Sequence, residues 1–221
     1  MSSLSEPAAV ATPGESSVGR DVAIRAYRAL GAIAVLVAIA YQLQKGLARE
    51  GITTTDYFSY FTELSNLIAA GVFLYGTLFR PYPRSPTVEL LRGAAVVYIL
   101  TTGIVYAVLL SGHIPVYPWV NTVLHRVIPI AVTLDWLIDP PHVRLRLRDT
   151  LVWLTFPVLY VAYTLVRGAI VDWYPYFFVD PHRHGGYMLV AADCAAITIG
   201  IVGLIVATTW VGNLRSGAPA E

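Results

Sequence analysis

The sequence predicts an all-α membrane protein, a bundle of six transmembrane helices with both termini cytoplasmic. Three observations carry that expectation. Six apolar stretches recur along the chain, each close to the roughly 20 residues a helix needs to cross hydrocarbon. Hydrophobic residues make up 56% of the 221 positions and charged ones 13%, which leaves little material for a separate soluble domain. None of the stretches has the short alternating pattern of a barrel strand, and in lipid a spanning backbone is otherwise satisfied only within a helix.

Residues 1–19 are rich in Ser, Ala, Pro and Glu and lack a basic start before an apolar run, so they are expected to form a disordered tail and not a cleaved leader. The membrane domain is expected over 20–211, followed by a short polar tail over 212–221. Its spans are read as Ile24 to Gln44, Tyr57 to Phe79, Leu90 to Ser111, Trp119 to Ile138, Thr150 to Val171 and Gly186 to Trp210. The first follows Arg20, Arg25 and Arg28 and has the length of a retained anchor. The fourth contains Pro129, which cannot donate to the carbonyl of His125 and is expected to kink the helix there; Pro157 in the fifth poses the same question. The sixth holds Cys194, the single cysteine, so no intrachain disulfide and no CxxC motif is possible and a packing role is expected.

Lys and Arg set the orientation. Ten lie on the side of both termini (Arg20, Arg25, Arg28, Arg80, Arg84, Arg92, Arg144, Arg146, Arg148 and Arg215), against three on the other (Lys45, Arg49 and Arg183). The positive-inside rule then puts both termini in the cytoplasm, and the cell membrane is the expected location. Aromatic residues crowd the opposite face, from Tyr57, Phe58 and Tyr60 to Trp173, Tyr174 and Tyr176, as an interfacial belt. Asp135 and Asp139 read as interface anchors with Arg144 and Arg146. The dispersed arginines and the net charge of +1 argue against a nucleic-acid partner.

Polar residues within the spans are where function is expected, because lipid excludes them unless they face the bundle interior and find partners. At about 1.5 Å per residue, Thr62 lies roughly 8 Å in from the outer face, His125 about 9 Å, Asp193 about 10 Å and Arg167 about 6 Å. One layer shared by four helices implies one cavity. Thr62 and Asn66, Asn121 and His125, and Tyr163 and Arg167 are each four apart, so each pair projects from one side of its helix. Glu63 is placed to pair with Arg126 or Arg167, as a structural ion pair or a pocket residue. Neutral histidine is the usual base for an alcohol nucleophile, and Asn66, Asn121, Arg126 and Arg167 are the candidate donors to an oxyanion.

Two short segments carry a resemblance: Tyr60-Phe-Thr-Glu-Leu-Ser-Asn66 opening the second span, and Pro118-Trp-Val-Asn-Thr-Val-Leu-His125 opening the fourth. In these, and in its overall hydropathy pattern, the chain resembles the androgen-induced gene 1-like membrane proteins, as a bacterial-type member. The resemblance implies an intramembrane threonine hydrolase acting on lipid esters of the fatty acid ester of hydroxy fatty acid type, with Thr62 as nucleophile and His125 as base. Thr122 departs from the family, whose animal members commonly have a second His there. The implied chemistry needs no cofactor and no metal; its partners are membrane lipids and the lipid ester itself, and the sequence defines no oligomeric state.

Two other readings use the same residues or their neighbours. A non-catalytic lipid or quinone binder would hold a headgroup in the same polar layer, whereas a transporter would need internal repeats or broken helices that the sequence lacks. A zinc site would draw on His113, His182 and His184 with Asp180, at looser spacing than such sites usually have. Threonines in membrane helices commonly bond to their own backbone, so Thr62 has a structural reading too.

Overall fold

Helix α1 (Glu15–Ala48) meets no proline along its 34 residues, so nothing interrupts it once begun. The structure, a computed structural model, describes residues 15–48, 52–79, 84–112, 115–183 and 185–216. The helix therefore starts inside the stretch expected to be tail, whose first 14 residues lie outside the described ones. At the other end α9 (Tyr187–Arg215) likewise runs four residues into the expected polar tail.

The second apolar stretch is divided, contrary to the single span expected from Tyr57. Thr53 caps a four-residue helix, α2 (Thr54–Tyr57), in a reciprocal capping box with Asp56. The chain turns at Phe58 to Tyr60, and α3 (Phe61–Leu78) begins afresh. Helix α4 (Pro86–Val105) starts at the Ser85 cap with Pro86 in its first turn and ends in a π-helical turn over Tyr106–Leu110. The fourth stretch is helical throughout but changes register: α5 (Pro118–Thr122), a π turn over Val123–Val127, then α6 (Ile128–Ile138). After α7 (Leu147–Thr150) and a 3-10 turn comes α8 (Thr155–Val171), which stops at Asp172 in the left-handed region with φ 52°.

The described residues contain no strand, and five of these helices are long and apolar enough to cross a membrane. Their outward faces carry Leu30, Leu159, Ile170 and Ile199, each more than 60% exposed, as expected of surfaces that meet acyl chains. The chain is accordingly a multi-pass membrane protein. Helix α4 is the hub, packed against α3, α6 and α9, with Ala95, Val97 and Ile99 wholly buried. Gly93 permits that density: a Cβ there would overlap the Trp153 ring, whose Nε1 donates to the Leu90 carbonyl at 2.9 Å.

One end of the bundle is closed by charge. Arg28 of α1 clamps Asp135 through Nε at 2.7 Å and reaches Asp139 at 2.7 Å. Arg84 bridges Glu89 and Asp139 at 2.7 and 2.8 Å, and Arg92 bridges Glu89 and Asp135 at 2.8 and 3.1 Å. All six side chains are buried. The partners of Asp135 and Asp139 thus include three arginines that the sequence assigned to topology, on α1, on α4 and just before it. Burial raises the Asp139 carboxyl, but Arg84, Arg92 and Arg28 outweigh it and hold it down at about 2.

Candidate active site

The break at Phe58 to Tyr60 decides the character of Thr62. Several threonines in these helices give their hydroxyls to the carbonyl one turn back, as Thr77, Thr101, Thr133 and Thr198 do at 2.7 to 2.9 Å. Thr62 is the second residue of α3 and has no helical carbonyl four residues earlier. Its Oγ1 instead meets His125 Nε2 at 3.2 Å, with the Tyr176 hydroxyl 3.4 Å away.

The tautomer of His125 follows from its other nitrogen. Nδ1 lies 3.2 Å from the Asn121 carbonyl, which can only accept, so Nδ1 carries the hydrogen and Nε2 presents a lone pair to the Thr62 hydroxyl. The ring is held against Tyr106, with centroids 4.2 Å apart, and the Tyr106 hydroxyl accepts from Asn121 Nδ2 at 2.6 Å. Asn121 therefore positions the His125 ring from two directions, and its amide N–H goes to Tyr106.

Asn66 has a different place from the one expected. It is fully buried, and Nδ2 donates to the Thr62 carbonyl at 2.9 Å and the Leu124 carbonyl at 3.3 Å. In the π turn Ile128 N–H reaches back five residues to Val123, so the donor due to Leu124 would be Pro129, which has none. The carbonyl of Leu124 is thereby left without a backbone donor, and Asn66 satisfies it. Asn66 is a clamp between the helix that carries Thr62 and the turn that carries His125. Ser65 adds to it, donating to the Thr62 carbonyl at 3.1 Å and meeting Thr102 Oγ1 at 2.7 Å.

The two arginines stand outside this group. Arg126 is exposed, and Arg167 forms an ion pair with Asp56 and lies 5.0 Å over the Trp173 ring. Burial raises the Asp56 carboxyl, but the Thr53 hydroxyl and Arg167 outweigh it and leave it below its usual value. Glu63 pairs with neither arginine; it is buried against the same cavity as Thr62 and His125. Asp193 makes no contact with this group; it borders a groove between α4 and α9 that shares Thr101, Val105, Ile197 and Ile201 with the apolar cavity at Thr62. Of the zinc reading, His113 and His184 lie outside the described residues, and His182 is exposed with Nε2 3.7 Å from Asp172.

Tyr176 is the member that sequence reading assigned to the aromatic belt. Its hydroxyl accepts from the Thr62 backbone N–H at 3.3 Å, which leaves its own hydrogen to donate toward Oγ1 or a group bound there. Burial pushes its phenol well above the usual value, so it remains a donor. Only its position after a Trp-Tyr-Pro turn distinguished it from its neighbours.

Two cavities meet at Thr62. One, of about 190 Å³, is apolar and runs between α4, α8 and α9, lined by Val105, Leu154, Val158 and Ile201. The other, of about 610 Å³, is bordered by Gln42, Tyr60, Glu63, Asn121 and His125. Thr62, Tyr106, Leu110 and Tyr176 belong to both walls. No protein-family profile, curated protein or solved structure matches this chain.

Proposed function

We propose that this protein is an intramembrane threonine hydrolase of lipid esters, a member of the androgen-induced gene 1-like family as its two motifs imply. The observation that carries the reading is the 3.2 Å contact between Thr62 Oγ1 and the unprotonated Nε2 of His125, at the junction of two cavities. His125 takes the Thr62 proton as Oγ1 attacks the ester carbonyl, and the tetrahedral oxyanion accepts from Tyr176. The bond to the alcohol oxygen breaks as His125 returns the proton to it, leaving an acyl-threonine. Water, deprotonated by the same imidazole, then releases the fatty acid and restores Thr62.

The membrane frame of this reading is six spans with both termini cytoplasmic. The continuous helical run of α5, its π turn and α6 supplies the sixth span, and the ten-to-three bias in Lys and Arg supports the orientation. Thr62 then lies in the outer half of the bilayer, where the apolar cavity admits a lipid ester from the side. Esters of hydroxy fatty acids are the class the resemblance implies.

The test is an active-site-directed fluorophosphonate applied to membranes containing the full chain. Labelling of the wild type that is lost in Thr62→Ala and in His125→Ala supports the hydrolase. An unlabelled wild type that carries lipid through purification overturns it in favour of the non-catalytic binder.

A further inference from the structure

Thr62 lines both cavities, whereas His125, of the two, lines only the larger one. The cavities also open in different directions. In the apolar cavity α8 contributes Leu154, Val158 and Val161, and α9 contributes Cys194, Thr198 and Ile201. Ile201 is buried, but Val158 is 57% exposed and Thr198 is exposed too. The mouth is therefore a cleft between two of the apolar spans, beside Leu159 and Ile199 on the surfaces that meet acyl chains. The larger cavity opens elsewhere. Ile52, ahead of α2, and Val116, ahead of α5, stand in its wall and are exposed. Both belong to connections between helices, which run where water is.

Hydrolysis within a bilayer needs both openings, because hydrocarbon takes up an acyl chain but supplies no water. We infer that the acyl chain of the ester enters and lies in the cleft between α8 and α9, with Val158 and Thr198 at its edges, while water and the leaving alcohol use the larger cavity on the His125 side. The proton transfers fix this division. The imidazole gives its proton to the alcohol oxygen and later takes one from water, so both must approach from the wall that holds it. In an ester of a hydroxy fatty acid, the free carboxyl end of the alcohol half then faces water and keeps its hydration. The inference rests on the hydrolytic reading for the reaction at Thr62 and adds the two routes to it.

Proteoliposomes of the full chain are given two esters: the palmitoyl ester of a hydroxystearic acid, confined to the bilayer, and p-nitrophenyl acetate, which comes from water. Val158→Phe and Thr198→Phe narrow the cleft from exposed positions, and Leu159→Phe adds bulk to the lipid-facing surface beside it. Each of the first two is expected to lower kcat/KM for the bilayer ester relative to the soluble one by about tenfold or more, the effect of leaving two chain methylenes unburied. Leu159→Phe is expected to leave that ratio as it is. A Val158→Phe/Thr198→Phe double variant with the wild-type ratio overturns the inference. A second measurement needs no hydrolysis: a bilayer-confined alkyl ether with a photoactivatable diazirine at its chain end is expected to form adducts at Leu154 or Cys194, and fewer in the double variant. Such adducts in a protein that hydrolyses neither ester would sink the hydrolase and leave the cleft standing. Hydrolysis of both esters with no adduct inside the cavity would sink the cleft and leave the hydrolase standing.

Discussion

The two ends of this bundle bury comparable amounts of polarity and treat it in opposite ways. At one end Arg28, Arg84 and Arg92 interlock with Glu89, Asp135 and Asp139, and surplus donors go to the carbonyls of Asp139 and Pro140. Each charge there is answered by a protein partner. At the other end the Thr62 hydroxyl and the His125 imidazole meet each other beside two cavities, and the Glu63 Oε2 finds no donor among the described residues. Satisfied buried polarity fixes a fold, and unsatisfied buried polarity beside a cavity awaits a ligand.

The comparison breaks most sharply if the two ends respond alike to substitution. Thr62→Ala should abolish ester hydrolysis, and His125→Asn should lower kcat by about 10²- to 10⁴-fold, with unfolding midpoints in detergent close to wild type. A midpoint that collapses with activity would recast this end as structural. At the charged end, Arg92→Ala leaves two buried carboxylates short of a partner and should cost about 3–5 kcal/mol in denaturant unfolding. Hydrolysis by the fraction still folded should be unaffected.

Smaller effects sharpen the contrast. Tyr176→Phe removes the proposed oxyanion donor and should reduce kcat by about 10²-fold while KM holds, in steady-state kinetics on a soluble ester. Asn66→Ala frees the Leu124 carbonyl and should cost about 1–3 kcal/mol in stability, with a further loss of activity because the turn carrying His125 is no longer tied to α3. The smallest effect is a pH dependence. The Asp139 carboxyl is lowered from 3.8 to about 2, so its contribution is fully present above pH 3.8 and is lost as pH falls through about 2. Unfolding midpoints should therefore owe no change to Asp139 between pH 5 and 8 and should fall below pH 4; in Asp139→Asn this acid-dependent component should disappear.

The pairing of Thr62 with His125 was legible because depth along a helix is a simple function of residue number, and two helices opening on one face put residues of equal depth opposite each other. Depth does not give azimuth. Arg126 and Arg167 share the layer and stand outside the site, the first exposed and the second drawn to Asp56. Asp193 shares it too and lines a groove beside the apolar cavity, away from Thr62 and His125. The charged network was hidden for a different reason: its arginines lie at span ends, where a topology signal and a buried ion pair read identically.

What the sequence determined by itself was the helical class and the apolar lengths of the spans, because hydropathy and the backbone's need for hydrogen bonds are local properties of the chain. Its i, i+4 spacing also put Asn121 on the side of its helix that His125 occupies. The tertiary structure decided the rest. It turned the second stretch at Phe58 to Tyr60, which frees the Thr62 hydroxyl from its own helix, and it shifted the π turn so that Asn66 holds the Leu124 carbonyl. It also brought Tyr176 from a distant loop to Oγ1. The last two depend on contacts between residues 58 and 114 apart, and no pattern within a single span encodes them.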